Sequence, residues 1–438
     1  ARLRPLLAPL AALFVRVAAA GLGYLLQVAL ARMLGAEHYG VFAYAWAWVA
    51  IGGFGATFGL SQTAVRNLAR YHEDGACALA SGFIRFSLLA VGCGAALLTG
   101  LAAILLASRP DLVPGAYLAP LLWMLATVPL FALGDLAEGY ARSQGWNILA
   151  LAPPYLIRQG LILIGLPLAV WSGAAPTGSL AMAVAFAATA ITALVQLALV
   201  LRRLRAEGLI GAAPRYRLAE WRKDTTPVFF GDVAQVLRQN ADLLILAMFV
   251  APREVAIYFA ATRVASLLGL IEFAVGATAG HRFARAAESA DASGLPRLAG
   301  QAAAFTFWPT LGAAVFVCLL APAILSLFGA AFAAAAPLVM LLAAGASLRA
   351  LIGPCDDLLI MRGHGRPALL AQAAGLAVTL AAGLVLVPMF GVTGAAIANL
   401  AALAITTLVL AAGCRHHLGF VPNPLLPFTS LQRRATSC

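Results

Sequence analysis

The sequence predicts an all-α polytopic membrane protein of about 12 transmembrane helices, in two six-helix lobes around a central cavity. Three observations carry the prediction. Long apolar blocks follow one another with short connections, and each is long enough to cross roughly 30 Å of hydrocarbon at 1.5 Å rise per residue. Composition agrees: 63% hydrophobic and 11% charged residues, with a mean hydropathy of +0.93, would leave a water-soluble fold with far too much exposed apolar surface. Basic residues, finally, fall in alternate connections. A closed β-barrel would need alternating segments of about 10 residues, whereas these blocks are continuous and rich in Ala and Leu.

The blocks run over residues 9–33, 40–62, 78–107, 114–141, 148–171, 178–201, 226–250, 254–279, 299–328, 332–361, 367–388 and 391–413. The first carries Arg16, Gln27 and Arg32 and is followed almost at once by the second, so it reads as a mature helix and not as a cleavable signal. Arg66 and Arg70 follow the second block, Arg142 the fourth and Arg362 and Arg366 the tenth. Arg202, Arg203, Arg205, Arg215, Arg217, Arg222 and Lys223 follow the sixth. The opposite connections hold only Arg32, Arg109 and Arg253. By the positive-inside bias both termini and the long central connection are expected to be cytoplasmic.

That central connection contains Gly208, Gly211 and Pro214 among many charges and divides the chain nearly in half. The expected organisation is an N-terminal lobe over residues 1–203, a cytoplasmic linker over 204–225, a C-terminal lobe over 226–414 and a cytoplasmic tail over 415–438. The halves echo one another. The turn at residues 31–42 can be set beside 247–258, residues 141–146 beside 361–366, and Leu168 to Gly173 beside Leu386 to Gly391. Three echoes in one order suggest a duplicated unit, and an even number of helices per half makes the repeat parallel, with a cavity expected between the lobes.

Residues 24–42, followed by Gly59-Leu60 and Arg66-Asn67-Leu68-Ala69, resemble the amino-terminal signature of bacterial oligosaccharide (O-antigen and polysaccharide) flippases. The stretch Gly391-Val392-Thr393-Gly394-Ala395-Ala396-Ile397-Ala398 is similar to that family's turn into its last helix. Peptidoglycan-precursor flippases and multidrug exporters of the same superfamily share the architecture. The resemblance implies alternating-access movement of an undecaprenyl-pyrophosphate-linked oligosaccharide from the cytoplasmic to the outer leaflet, by a functional monomer working beside membrane lipids and polysaccharide assembly machinery.

Charges inside the blocks give an independent argument, since each would cost at least about 2.5 kcal/mol facing lipid near the midplane. They should therefore face protein or water. Arg16, Arg238 and Arg263 are the leading substrate contacts, with Arg158, Arg349 and Arg85 behind them. Guanidinium forks suit pyrophosphate oxygens. Arg85 is near enough to a block end to snorkel, and Arg349 is spaced to pair with Asp356 on its own helix face. Asp232, Gln235, Arg238, Gln239 and Asp242 fall within a 120° arc at about 100° per residue, the pattern of one polar helix face. Asp135, Glu138 and Arg142 share another face, where Glu138 and Arg142 are spaced for an i,i+4 pair. Glu272 is about half a turn from Arg263, so the two are not expected in one site.

Asp232, Asp242, Asp135, Glu138 and Glu272 are the candidate coupling or gating acids. No Gly-rich phosphate loop followed by Lys and Ser or Thr is present, so the energy source is expected to be a proton, a sodium ion or the membrane potential. The six cysteines have no metal-ligand spacing, and neither a metal nor another cofactor is expected. The net charge of +12 is spread over successive juxtamembrane turns, which argues for topology and anionic-lipid contact and against nucleic acid. Two other functions compete with flipping. A multidrug cation antiporter would favour acidic over arginine-rich cargo sites, and a membrane glycosyltransferase or O-antigen polymerase would need a substantial extracytoplasmic loop.

Overall fold

The computed structural model describes residues 4–109, 111, 115–272, 274–276 and 295–425, with side chains from residue 18 onward. The described residues are helical throughout, joined by turns. In chain order α1 is Arg4–Ala56, α2 Leu60–Glu73, α3 Cys77–Ser108, α4 Gly115–Ser143 and α5 Asn147–Ala152. A π-helical turn, Pro153–Ile157, leads into α6, Arg158–Trp171. Then come α7, Gly178–Ala206, α8, Leu218–Phe249, α9, Pro252–Ser266, and α10, Leu295–Ser326. After a 3-10 turn the chain closes with α11, Ala336–Ala350, α12, Cys355–Met361, and α13, Gly365–Leu418.

Nine helical stretches among the described residues are long and apolar enough to cross a membrane. The expected blocks outnumber them for two reasons. Helix α1 contains the non-helical Gly35 (φ 72°, ψ 169°) and α13 contains Gly391 (φ 55°, ψ −130°), so each is two blocks joined at a bend with helix on both sides. Positive φ is the reason glycine stands at each bend. Block 7 lies in α8, whose polar face keeps it out of the apolar set although it is a helix of 32 residues.

The chain divides into two compact units, Ala1–Val236 and Leu237–Cys438. In the first, α4 is the central helix, packed against α1, α2, α3 and α7. Small residues set the spacing: Gly134 rests on Ala193, and a methyl at Gly139 would run into the Ser61 carbonyl. In the second, α11 packs on α9, α10 and α13. The turns at Gly145 and Gly363, paired in the sequence, share one bond pattern. Gly145 and Trp146 N–H donate to Arg142 and Ala141, as Gly363 and His364 donate to Ile360 and Leu359. Helices end the same way at Gly75, Gly173 and Gly208, so the pattern marks helix ends in general.

The central connection is strapped to the N-terminal unit. Trp221 is fully buried against Phe83 and Phe86 and donates its indole N–H to the Tyr71 hydroxyl at 2.9 Å. Arg215 N–H donates to the Ala78 carbonyl at 2.9 Å, and the Arg215 carbonyl fills the space a side chain on Gly82 would need. Arg66 with Asp224 (3.2 Å) and Arg70 with Glu220 (3.0 Å) add ion pairs at the rim. The hydrogen bond from Arg70, with help from Arg217, holds the Glu220 carboxyl below its ordinary pKa. Those pairs are exposed and weak, whereas the buried indole is not. Trp221→Ala should destabilise the N-terminal unit by about 3–5 kcal/mol, while Arg70→Ala should cost at most about 1 kcal/mol, read as shifts in denaturation midpoint in detergent.

Candidate functional site

In the C-terminal unit α8, α9, α11 and α13 enclose a cavity of about 480 Å³. Arg238, Gln239 and Asp242 of α8 line it together with Arg263, Glu272, Arg349 and Asn399. The arc read from α8 is thus real over this stretch. Arg349 is largely buried and fully engaged: it bonds Glu272 at 3.0 Å, Asp356 at 3.1 Å and the Gly353 carbonyl at 3.0 Å. The expected Arg349–Asp356 pair is therefore present, and Glu272 joins it. Asp242 is buried and ringed by donors, from the Tyr258 hydroxyl at 2.6 Å, Leu243 N–H at 2.8 Å and the Asn399 amide at 3.4 Å. Arg263 stacks on Phe259 at 4.3 Å.

Arg238 differs from Arg349 and Asp242. Among the described residues it makes no ion pair, and its Nε is buried with no hydrogen-bond partner. Its electrostatic neighbours are Arg349 and the carboxylates of Glu272, Asp356 and Asp242. Glu272 lines the same cavity as Arg263, contrary to the expectation from helical phase. The helix turns tighter at Leu267–Leu268, where N–H groups bond three residues back (Leu267 to Val264, Leu268 to Ala265), and the phase counted from Arg263 is lost.

A smaller cavity of about 210 Å³ lies in the N-terminal unit, lined by Asp135, Glu138, Arg158, Tyr155 and Gln196 among others. Arg158 sits 5.3 Å from the ring centroids of both Trp46 and Phe131 and makes no ion pair among the described residues. Its backbone starts where the π turn ends, with its N–H reaching back five residues to the Pro153 carbonyl. Pro153 and Pro154 have no N–H, so the carbonyls of Leu149 and Ala150 lose their i→i+4 donors. Gln196 of α7 replaces both. Its amide donates to Leu149 at 2.9 Å and to Ala150 at 3.2 Å. Sequence reading missed Gln196, and the adjacent prolines were the signal that could have found it.

A family model for polysaccharide biosynthesis proteins matches residues 10–279, more than half of the chain. The chain belongs to this family. No curated protein matches it significantly. In fold, the family member is similar to the lipid II flippase MurJ in an inward closed conformation, at 15% identity and a TM-score of 0.70, over 93% of this chain and 87% of that one. It is also similar to an inward-facing multidrug resistance transporter of the MATE family and MOP superfamily, at 16% identity and TM-score 0.72, over 90% and 93% of the two chains. A MOP superfamily transporter from Pyrococcus furiosus, described as having a binding pocket of reverse polarity that suggests a different function, matches at 17% identity and TM-score 0.62, over 92% and 93%. The polysaccharide biosynthesis protein is thus a multi-pass membrane protein with the fold of flippase-type transporters.

The remaining candidates fall elsewhere in this family member. Arg16 is in α1, but its side chain lies outside the described residues. Arg85 is exposed on α3 and lines neither cavity. Asp232 lines neither, though it is within electrostatic range of Asp135. Glu138 meets Arg142 at 3.9 Å, the expected i,i+4 pair. Among the described residues no group of His, Cys, Asp and Glu is placed to hold a metal ion.

These contacts separate supporting from available arginines. Arg349→Ala removes the buried cation shared by half-buried Glu272 and Asp356 and should cost about 1–3 kcal/mol. Arg238→Ala breaks no ion pair and should leave the denaturation midpoint of the detergent-solubilised protein nearly unchanged. Gln196→Leu should destabilise the protein by about 1–3 kcal/mol, read as a lowered midpoint, because two carbonyls lose their donors.

Proposed function

We propose that this protein moves an undecaprenyl-pyrophosphate-linked oligosaccharide from the cytoplasmic to the periplasmic leaflet of the inner membrane by alternating access. One observation carries the reading: Arg238, Arg263 and Arg349 line one cavity in the C-terminal unit, and among the described residues Arg238 has no acidic partner within ion-pair distance. An unpaired guanidinium in a partly desolvated cavity is a site for an anion, and its donor fork matches pyrophosphate oxygens. Arg349 acts differently. Locked to Glu272 and Asp356, it fixes the wall against which Arg238 and Arg263 stand. In the N-terminal unit, Arg158 between Trp46 and Phe131 is a second cation without an ion pair and a weaker contact for the same cargo.

Family membership supports polysaccharide export, and the fold supports a transporter over an enzyme. Asp242 and Glu272 also line the cavity, and that is the observation favouring the second reading, cation antiport of the multidrug type. Asp242 is held by Tyr258 and Asn399, and Glu272 by Arg349, so neither carboxylate is left open to a cationic drug in this conformation. Asp242 suits coupling better than cargo binding, since a proton or cation arriving there would redistribute the donors from Tyr258 and Asn399. Asp232, Asp135 and Glu138 are secondary candidates for coupling or gating. Both termini are placed in the cytoplasm on the basic-residue count, and the working unit is a monomer meeting lipids and assembly machinery at its surface.

Reconstitution in liposomes tests the reading. Arg238→Ala should cut flipping of a pyrophosphate-linked oligosaccharide lipid by about tenfold or more, with Arg238→Lys in between, while insertion stays intact. Asp242→Asn should slow turnover and alter its ion dependence. Equal binding of neutral and pyrophosphate-linked lipids by the unaltered protein would reject the anion site, and uptake of cationic drugs without lipid transport would establish antiport.

A further inference from the structure

Outside both cavities the N-terminal unit carries an apolar groove of about 620 Å³ between the α5–α6 segment and α7. Ile191, Val195 and Leu199 form one wall, four residues apart on α7. Arg203 continues that stripe by one more turn. From Ile191 to Arg203 the stripe runs about 18 Å. Ile148 and Ile157 form the opposite wall, where the π turn at Pro153–Ile157 swells the helix and shapes the concavity.

We infer that this groove holds one anionic phospholipid of the bilayer, its acyl chain along Ile191, Val195 and Leu199 and its phosphate on Arg203. The apolar wall ends on a cation, and that cation is prepared. Arg203 lies 5.5 Å from the Trp146 ring centroid, so the flat face of the guanidinium is occupied while its N–H edge remains open to phosphate. Among the described residues no carboxylate pairs with it, and the nearby Glu207 faces His72 at 4.0 Å. Trp146 is itself an interfacial residue type, amphipathic and suited to headgroup depth. A net anionic headgroup fits Arg203 and its neighbours Arg202 and Arg205, whereas a zwitterionic one would bring a second cation to a groove that Arg203 lines and no acid does.

Thr192 and Gln196 stand between the groove and the Arg158 cavity, lining both, and the Thr192 hydroxyl and the Gln196 amide N–H donate to backbone carbonyls. A lipid here is consequently a bound component of the wall and not cargo in transit. The lipid braces the segment whose helical ladder is interrupted by Pro153 and Pro154. This inference stands independently of the cargo proposed above.

Quenching of Trp146 measures it. The full chain and its Trp146→Phe variant are placed in phosphatidylcholine nanodiscs and titrated with phosphatidylglycerol or phosphatidylcholine carrying brominated acyl chains. The difference between the two proteins isolates Trp146. Brominated phosphatidylglycerol should quench it at about fivefold lower mole fraction than brominated phosphatidylcholine. Arg203→Gln should abolish that preference and Arg203→Lys should retain part of it. Equal quenching by both lipids, or an unchanged preference in Arg203→Gln, overturns the site. Displacement of phosphatidylglycerol by equimolar undecaprenyl pyrophosphate would instead assign the groove to cargo and overturn the proposal.

Discussion

Much of this molecule is arranged around one constraint: a polar group withdrawn from water is costly unless it finds a partner within the protein. Helices meet that demand for the backbone, and each interruption has to be met by name. Where Pro153 and Pro154 remove two donors, Gln196 crosses from α7 to supply two. Where the chain breaks at Gly353, between α11 and α12, the freed carbonyl accepts from Arg349. Tyr140 reaches Ser87 at 2.6 Å, and Trp221 reaches Tyr71. Interhelical polar contacts of this kind are worth only about 0.6–2 kcal/mol each. Their larger effect is to avoid the cost of a stranded group.

Set against that rule, an arginine that lacks an ion-pair partner stands out. Arg349 obeys the rule with two carboxylates and a carbonyl. Arg158 meets it in part through the faces of Trp46 and Phe131. Arg238 leaves its Nε without a hydrogen bond. An anion arriving beside Arg238 therefore completes a hydrogen-bond set that the protein leaves open, and in a region of reduced dielectric that completion gains more than it would at the surface. The proposed binding would be reversible for the same reason, because Glu272, Asp356 and Asp242 are electrostatic neighbours that offset part of the Arg238 charge.

The sequence made the helices legible because hydrocarbon thickness dictates block length, and it made the polar face of α8 legible because helical phase is preserved over a short uninterrupted stretch. Phase failed across Leu267–Leu268, where a tighter turn rotates Glu272 into the cavity of Arg263. Bends failed for a related reason. Gly35 and Gly391 each redirect the chain through one residue while helix continues on both sides, so a gap of one residue does the work that a loop was expected to do. Tyr258, Asn399 and Gln196 were invisible as site residues because their importance lies in a partner far away in sequence. Trp221 illustrates the same limit: a charged, Gly-containing connection reads as a loose linker until Trp221 and Leu209 are found buried in the core of the N-terminal unit.

The two units also share a relation that chain order alone does not display. Glu138 stands seven residues before the helix-ending Gly145, and Asp356 stands seven before the helix-ending Gly363. Each carboxylate is paired with an arginine of its own segment, Glu138 with Arg142 at 3.9 Å and Asp356 with Arg349 at 3.1 Å. The pairing directions are opposite, since Arg142 follows its acid and Arg349 precedes it. A difference of that kind has unequal electrostatic results. Arg142 is half exposed and meets the buried Glu138 only at 3.9 Å, whereas the buried Arg349 ties two half-buried acids, Asp356 and Glu272, into one cluster at 3.1 and 3.0 Å. The C-terminal cluster thus has the shorter contacts, and it stands in the wall of the cavity that Arg238, the proposed anion contact, also lines.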